Sequence, residues 1–338
     1  MLIALILVVL LVLVAAGGGG VLANAMLSST YGPEKAVTDY FAAQKSGNVS
    51  TMMANATFLK GDSSSEQFFN QSAVEAMVKV PENTAIGGVK VSSSRQVNST
   101  TQALTVSLTW GGKEHAQTYN VRQDPARVNY VFYHSWRVDI PFVTVHIALP
   151  NQAGSIKLDG IAPSVISPNA IDTIEGFHSV TMSSTDFYDQ VTHEVDGVND
   201  PNPTAAFAGT MNAPSTALVA ASIKRAFANC AVATYKDCVG HTYSAPNDGY
   251  LYYWNAPGYG KVYFKTYSFA WTVDPTAGML TSVKSQTGQI AASNTCKVTM
   301  TVNGTSKYTF KGTWTADLVY TNGAFSSDVD YDCWNARA

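Results

Sequence analysis

Charge is scarce in this sequence. Only 13% of its 338 residues are Asp, Glu, Lys or Arg, about half the usual share. The 21 basic and 24 acidic residues leave a formal charge of −3. No basic field is available to neutralise phosphates, which excludes a nucleic-acid partner. The strings that mark common active sites are also missing: G-x-S-x-G, H-E-x-x-H, the P-loop and S-x-x-K. His193-Glu194 begins like a zinc-protease helix, but the fifth position is Gly197. No cofactor is expected, and an enzyme is the less favoured class. Disorder is excluded for most of the chain by a hydrophobic share of 46%.

The shortage of charge is most complete at the N-terminus, where residues 1–33 hold no Asp, Glu, Lys or Arg. Leu2 to Ala16 is wholly apolar, followed by Gly17 to Gly20 and Val21 to Ala23. As a helix this stretch is long enough for a hydrocarbon core of about 30 Å. Residues 1–30 therefore read as a transmembrane helix or signal anchor, with the membrane as partner and the bulk of the chain outside the cytoplasm. The competing reading is a cleaved signal peptide, since Ala23-Asn24-Ala25 fits a small-x-small site, and the protein would then be secreted.

The four cysteines, Cys230, Cys238, Cys296 and Cys333, fit export, because disulfides persist only in oxidising compartments. Four cysteines allow three connectivities. Cys230 with Cys238 and Cys296 with Cys333 is the preferred pairing, and free thiols are the alternative. Zinc is disfavoured by the absence of C-x-x-C. The sequons at Asn48, Asn55, Asn70, Asn98 and Asn303 matter only in a eukaryotic secretory pathway.

Three units follow the apolar segment, and together they predict an α+β fold. In residues 33–141, Ala36, Val37, Tyr40, Phe41 and Gln44 share one helical face. A short helix is expected near Val49 to Ala56, and another over Ser63 to Lys79, where Ser63 and Glu66 form a capping box. The period then changes to two over Val89–Val97, Gln102–Trp110, Glu114–Arg122 and Val128–Asp139, the pattern of an antiparallel meander. Residues 142–204 read as a small β module carrying eight acidic residues and one basic residue, Lys157. Residues 205–338 read as a second α+β domain with disulfides: a helix from Pro214 to Cys230, then strands, with a two-residue hairpin turn at Asn303-Gly304.

The string Pro33-Glu34-Lys35-Ala36-Val37-Thr38-Asp39-Tyr40-Phe41, with Lys45-Ser46-Gly47-Asn48 and Trp136-Arg137-Val138, resembles the NTF2-like domains of Gram-positive envelope proteins. The layout is similar to that of membrane-anchored extracytoplasmic proteins of the TcaA-like and actinobacterial type. The resemblance implies a cone of helices and antiparallel sheet that serves as a ligand pocket, an active site or a spacer. The alternative function it implies is an envelope enzyme, a hydrolase or isomerase, with His134 or Asp139 near the last strand of the cone in its active site.

Two clusters stand out as binding candidates. Ten aromatic residues lie between Tyr250 and Trp271, and aromatic faces stack on sugar rings. Trp254 and Tyr259 are the candidate ligand-binding residues there, with a cell-wall glycan or an envelope protein as partner. Asp196, Asn199 and Asp200 supply oxygens suited to Ca²⁺ in a loop; an ordinary Asx-rich turn is the competing reading. Asp328, Asp330 and Asp332 alternate on one strand and read as a solvated face. The expectation is a non-enzymatic binding or scaffolding protein of the cell envelope.

Overall fold

Proline suits the first turn of a helix because its fixed φ is already helical and its missing N–H would have no partner there. Pro33 opens the first helix in the computed structural model, which describes residues 31–60, 66–129, 133–165, 168–230, 242–284, 289–322 and 324–338. Helix α1 (Pro33–Lys45) buries Ala36, Val37, Tyr40, Phe41 and Gln44, the face its periodicity predicts. Asn48 caps α2 (Val49–Asn55) by accepting from Thr51 N at 3.1 Å. Asn70 does the same for α3 (Gln71–Met77), and Pro81 opens the short α4 (Pro81–Thr84).

The described residues divide into two compact units. The first comprises residues up to Ala148 with Ser155–Met182 and Val191–Ala206; the second comprises Leu149–Gly154, Ser183–Gln190 and Phe207–Ala338. The first unit is built on a curled five-stranded sheet. Its strands are β1 (Ala56–Phe58), β3 (Ile86–Asn98), β4 (Thr101–Trp110), β5 (Lys113–Asn129) and β6 (Tyr133–Ile140), in the order β1-β6-β5-β4-β3. Gly111 and Gly112, both at positive φ, make the two-residue turn between Trp110 and Lys113, as the hairpin twist requires. Leu104, Val106, Leu108 and Trp110 from β4, Tyr119 and Val121 from β5, and Val138 and Ile140 from β6 pack with α1 in one core. The inner face of the sheet is therefore filled with side chains.

Two smaller sheets complete the first unit. One joins β2 (Glu66–Phe68), β7 (Phe142–Ala148), β9 (Ala170–Ile174) and β12 (Thr204–Ala206) in the order β12-β7-β9-β2; the other joins β8 (Ile156–Leu158), β10 (Phe177–Met182) and β11 (Val191–Asp196). The corner between β9 and β10 is tied to the helices by Asn83, which is fully buried. Its Nδ2 donates to Phe177 O at 2.6 Å and to Met77 O at 2.9 Å, and its Oδ1 accepts from Phe177 N at 2.7 Å.

The second unit packs α5 (Ala213–Cys230) on a six-stranded antiparallel sheet of β13 (Thr242–Ser244), β16 (Thr266–Trp271), β17 (Leu280–Val283), β18 (Gln289–Val302), β19 (Ser306–Thr321) and β20 (Ala324–Arg337). Phe227 of the helix meets the rings of Trp271 and Trp314. A separate hairpin is formed by β14 (Tyr252–Ala256) and β15 (Gly260–Phe264). The Asn303-Gly304 turn lies where expected, but the loop has three residues, since Val302 pairs with Ser306.

The expected Cys296–Cys333 disulfide is present, and it bridges strands that are not neighbours. Cys296 lies on β18 opposite Gly312 of β19, while Cys333 lies on β20, and their Cα atoms are 5.5 Å apart. Strands separated by a third normally stand about 9.5 Å apart. The gap closes because the β19–β20 register slips between Lys311 and Thr313. The backbone of β20 then crosses directly over Gly312, where an added Cβ would lie 1.8 Å from Asp332 O.

The α+β expectation is corrected by the structure: the described residues are mostly β, with 53% of them in strands and 17% helical. The largest local difference is the helix expected from Ser63. Glu66–Phe68 instead pairs in parallel with Ile171–Thr173, and the helix begins only at Gln71. Burial of Phe68 in that pairing outweighs the local capping signal. The second unit holds one helix against eight strands among its described residues. No described helix is long and apolar enough to cross a membrane, and the N-terminal segment of residues 1–30 lies outside the described residues.

Gly312→Ala is expected to destabilise the second unit by at least about 3 kcal/mol, because backbone cannot yield as a flexible side chain can. Loss of the disulfide closing 37 residues should cost about 3–4 kcal/mol in the chain-entropy account. Urea denaturation with and without reductant measures both. An unchanged midpoint for Gly312→Ala would contradict the close crossing.

Candidate functional site

The hairpin β14–β15 has two unlike faces. Trp254 packs on Phe269 and Phe310, and Val262 beside it is buried. On the other face the directly paired Tyr253 and Tyr263 are each 47% exposed, with ring centroids 5.7 Å apart. The next pair along that face is Asn255 with Lys261, and the Lys261 ammonium lies 4.5 Å from the centre of the Tyr253 ring. Both residues are exposed.

The residues singled out from sequence, Trp254 and Tyr259, are brought together on Phe310. Tyr259 also stacks with Tyr308, lies beneath the Arg337 guanidinium, and donates its hydroxyl to Thr309 O at 3.1 Å. Tyr253, Tyr263, Asn255 and Lys261 are the residues that face outward. A single strand running on through Lys265 would place Tyr263 on the same face as Tyr267 and Phe269. Lys265 separates β15 from β16, so Val262 and Tyr263 take a phase independent of the buried Tyr267 and Phe269.

The loop after β11 is an Asx turn. Asp196 Oδ1 accepts from Val198 N and Asn199 N, the Asn199 amide reaches both oxygens, and Lys113 Nζ lies 3.1 Å from Oδ2. These contacts hold the Asp196 carboxyl below its ordinary range despite burial. Asp200 accepts separately from Asn202 N. Among the described residues no group of three or more metal-ligating side chains converges. Asp328, Asp330 and Asp332 are exposed along β20. The side chain of Cys230 and all of Cys238 lie outside the described residues.

The strongest concentration of buried titratable groups was not apparent in the sequence, because it joins three distant segments. Glu175 sits at the β9–β10 corner with its side chain 3% exposed. Tyr119 Oη donates to its Oε2 at 2.9 Å, and His115 Nε2 lies 3.4 Å from its Oε1. Burial pushes the Glu175 carboxyl up, opposed by His115 and Tyr119. The Glu175 carboxylate pushes His115 up, against burial. Burial and the same negative charge push up the phenols of Tyr40 and Tyr119. Tyr40 Oη is buried without a hydrogen-bond partner. Glu175 and Tyr119 are buried, while His115 is part-buried and lines a groove of about 530 Å³ together with Lys90, Ser107, Leu108, Thr109 and Glu114.

Of the two residues of the enzymatic alternative, Asp139 is buried and ion-paired with Arg122 at 2.5 Å. It lies on the face opposite the core residues Val138 and Ile140. His134 is part-buried, with Nδ1 lacking a partner.

The pH dependence of the Glu175 cluster follows from its signs. His115, raised by its partner, stabilises the fold fully below its unfolded value near 6.5, and that stability is lost as pH rises through the folded value. Glu175 is also raised, so the buried acid becomes progressively less favourable as pH rises above its ordinary 4.5. Both effects lower the stability of the first unit with rising pH, by up to about 1.4 kcal/mol per pH unit for each proton. Thermal midpoints between pH 6 and 9 should fall in the wild type and flatten in Glu175→Gln. Parallel profiles would exclude the cluster as their source.

No known protein family, curated protein or solved structure matches this chain.

Proposed function

We propose that this chain is an extracytoplasmic protein of the cell envelope, held at the membrane by its N-terminal apolar segment, which binds or scaffolds a partner without transforming it. The observation that carries this reading is the buried Cys296–Cys333 disulfide. A crosslink of this kind forms in an oxidising compartment and is rare in a reducing cytosol. The uncharged run of residues 1–33 supports the same compartment, since it is long and apolar enough to insert.

A binding role is supported by the distribution of chemistry. The Glu175 carboxyl is buried, and the inner face of the curled sheet is filled by Leu104, Val106, Trp110, Tyr119 and their neighbours. The amphipathic side chains Tyr253 and Tyr263, in contrast, are held outward on a paired hairpin. Exposed tyrosines are favourable contact residues because they combine ring area with a hydroxyl at low conformational cost.

The test is topology. With a C-terminal epitope on the full chain in a Gram-positive host, protease added to intact protoplasts should remove the epitope while a cytoplasmic marker survives. The chain should also remain in carbonate-washed membranes. A protected epitope would overturn the extracytoplasmic reading, and release into the medium would overturn the anchor.

A further inference from the structure

We infer that the outward face of the β14–β15 hairpin, formed by Tyr253, Tyr263, Asn255 and Lys261, is a carbohydrate-binding surface for β-linked pyranose chains. The inference deepens the binding role proposed above and rests on it. Tyr253 and Tyr263 are directly paired across the hairpin, with ring centroids 5.7 Å apart and planes inclined at 58°. Asn255 and Lys261 form the adjoining pair on the same face. Two residues along a strand advance about 7 Å, so the four side chains span a patch the size of one or two sugar rings.

The chemistry of the patch matches that ligand. An all-equatorial pyranose presents C–H groups on its two faces and hydroxyls around its edge. The faces stack on aromatic rings, while an amide and an ammonium group serve the edge hydroxyls. Lys261, over Tyr253 at 4.5 Å, holds that ring by cation–π attraction and sets a hydrogen-bond donor beside it. The inner face of the hairpin anchors the platform through Trp254 on Phe269 and Phe310, so the tyrosines are carried by a packed element.

Detergent-solubilised full-length chain tests the inference with two immobilised probes, a β-1,4-linked glucose hexamer and a β-1,4-linked N-acetylglucosamine hexamer. The wild type should bind at least one. Tyr253→Ala and Tyr263→Ala should each weaken binding about tenfold, by the loss of one stacking contact, with circular dichroism unchanged. Tyr263→Phe should retain binding, because it keeps the ring. Failure of the wild type to bind either probe, or undiminished binding by the Tyr253→Ala/Tyr263→Ala double variant, would overturn the inference. Binding is read on purified protein, so a cytoplasmic location would overturn the envelope reading alone and leave this result standing.

Discussion

The second unit depends on a crosslink made possible by a missing side chain. Cys296 and Cys333 belong to strands with β19 between them, and they approach to a Cα separation of 5.5 Å only because β20 rides over Gly312. An added Cβ would meet backbone there. The register slip between Lys311 and Thr313 supplies the extra length of chain that lets β20 rise over its neighbour, as bulges commonly do. The bond thus fixes a fold in the sheet that backbone hydrogen bonding alone would not impose. The β18–β19 hairpin it clamps also carries Phe310, on which Trp254 and Tyr259 pack. The chain of dependence runs from a glycine, through a disulfide and an aromatic core, to the outward tyrosines.

The first unit is held by burial and by a few directed polar contacts. Its curled sheet wraps the aromatic core around Phe41, Trp110 and Tyr119, and the β9–β10 corner is fastened at two points. Asn83 pairs with both backbone groups of Phe177, a neutral contact that pH does not touch. Glu175 meets Tyr119 and His115, a contact whose strength depends on protonation. A buried carboxylate stays favourable only while it keeps its proton or its partners. The same corner therefore combines a permanent fastening with one that weakens as pH rises.

Much of this was legible from local patterns. The buried face of α1, the four long strands from Ile86 to Ile140, and the helix ending at Cys230 all follow from apolar spacing and turn residues. The balance of helix and strand was not legible. Short parallel pairings such as β2 with β9 join residues about a hundred positions apart, and no local signal at Glu66 announces a partner at Ile171. The candidate surface was half legible: aromatic density marked the segment, but the break at Lys265 decides which rings face outward. The Glu175 cluster was invisible because Tyr40, the pair His115 and Tyr119 on β5, and Glu175 lie far apart in the chain and meet only through the fold. The hairpin at Asn303 shows the limit of turn chemistry, which placed the turn correctly and missed its third residue.

The Cys296–Cys333 bond joins β18 to β20 across Gly312, and such a bond forms where the surroundings are oxidising. The most direct measurement is a non-reducing peptide map of the full chain taken from its own cells, with free thiols alkylated at lysis. The account predicts a linked peptide pair containing Cys296 and Cys333. Alkylation of both cysteines in the folded protein would contradict it.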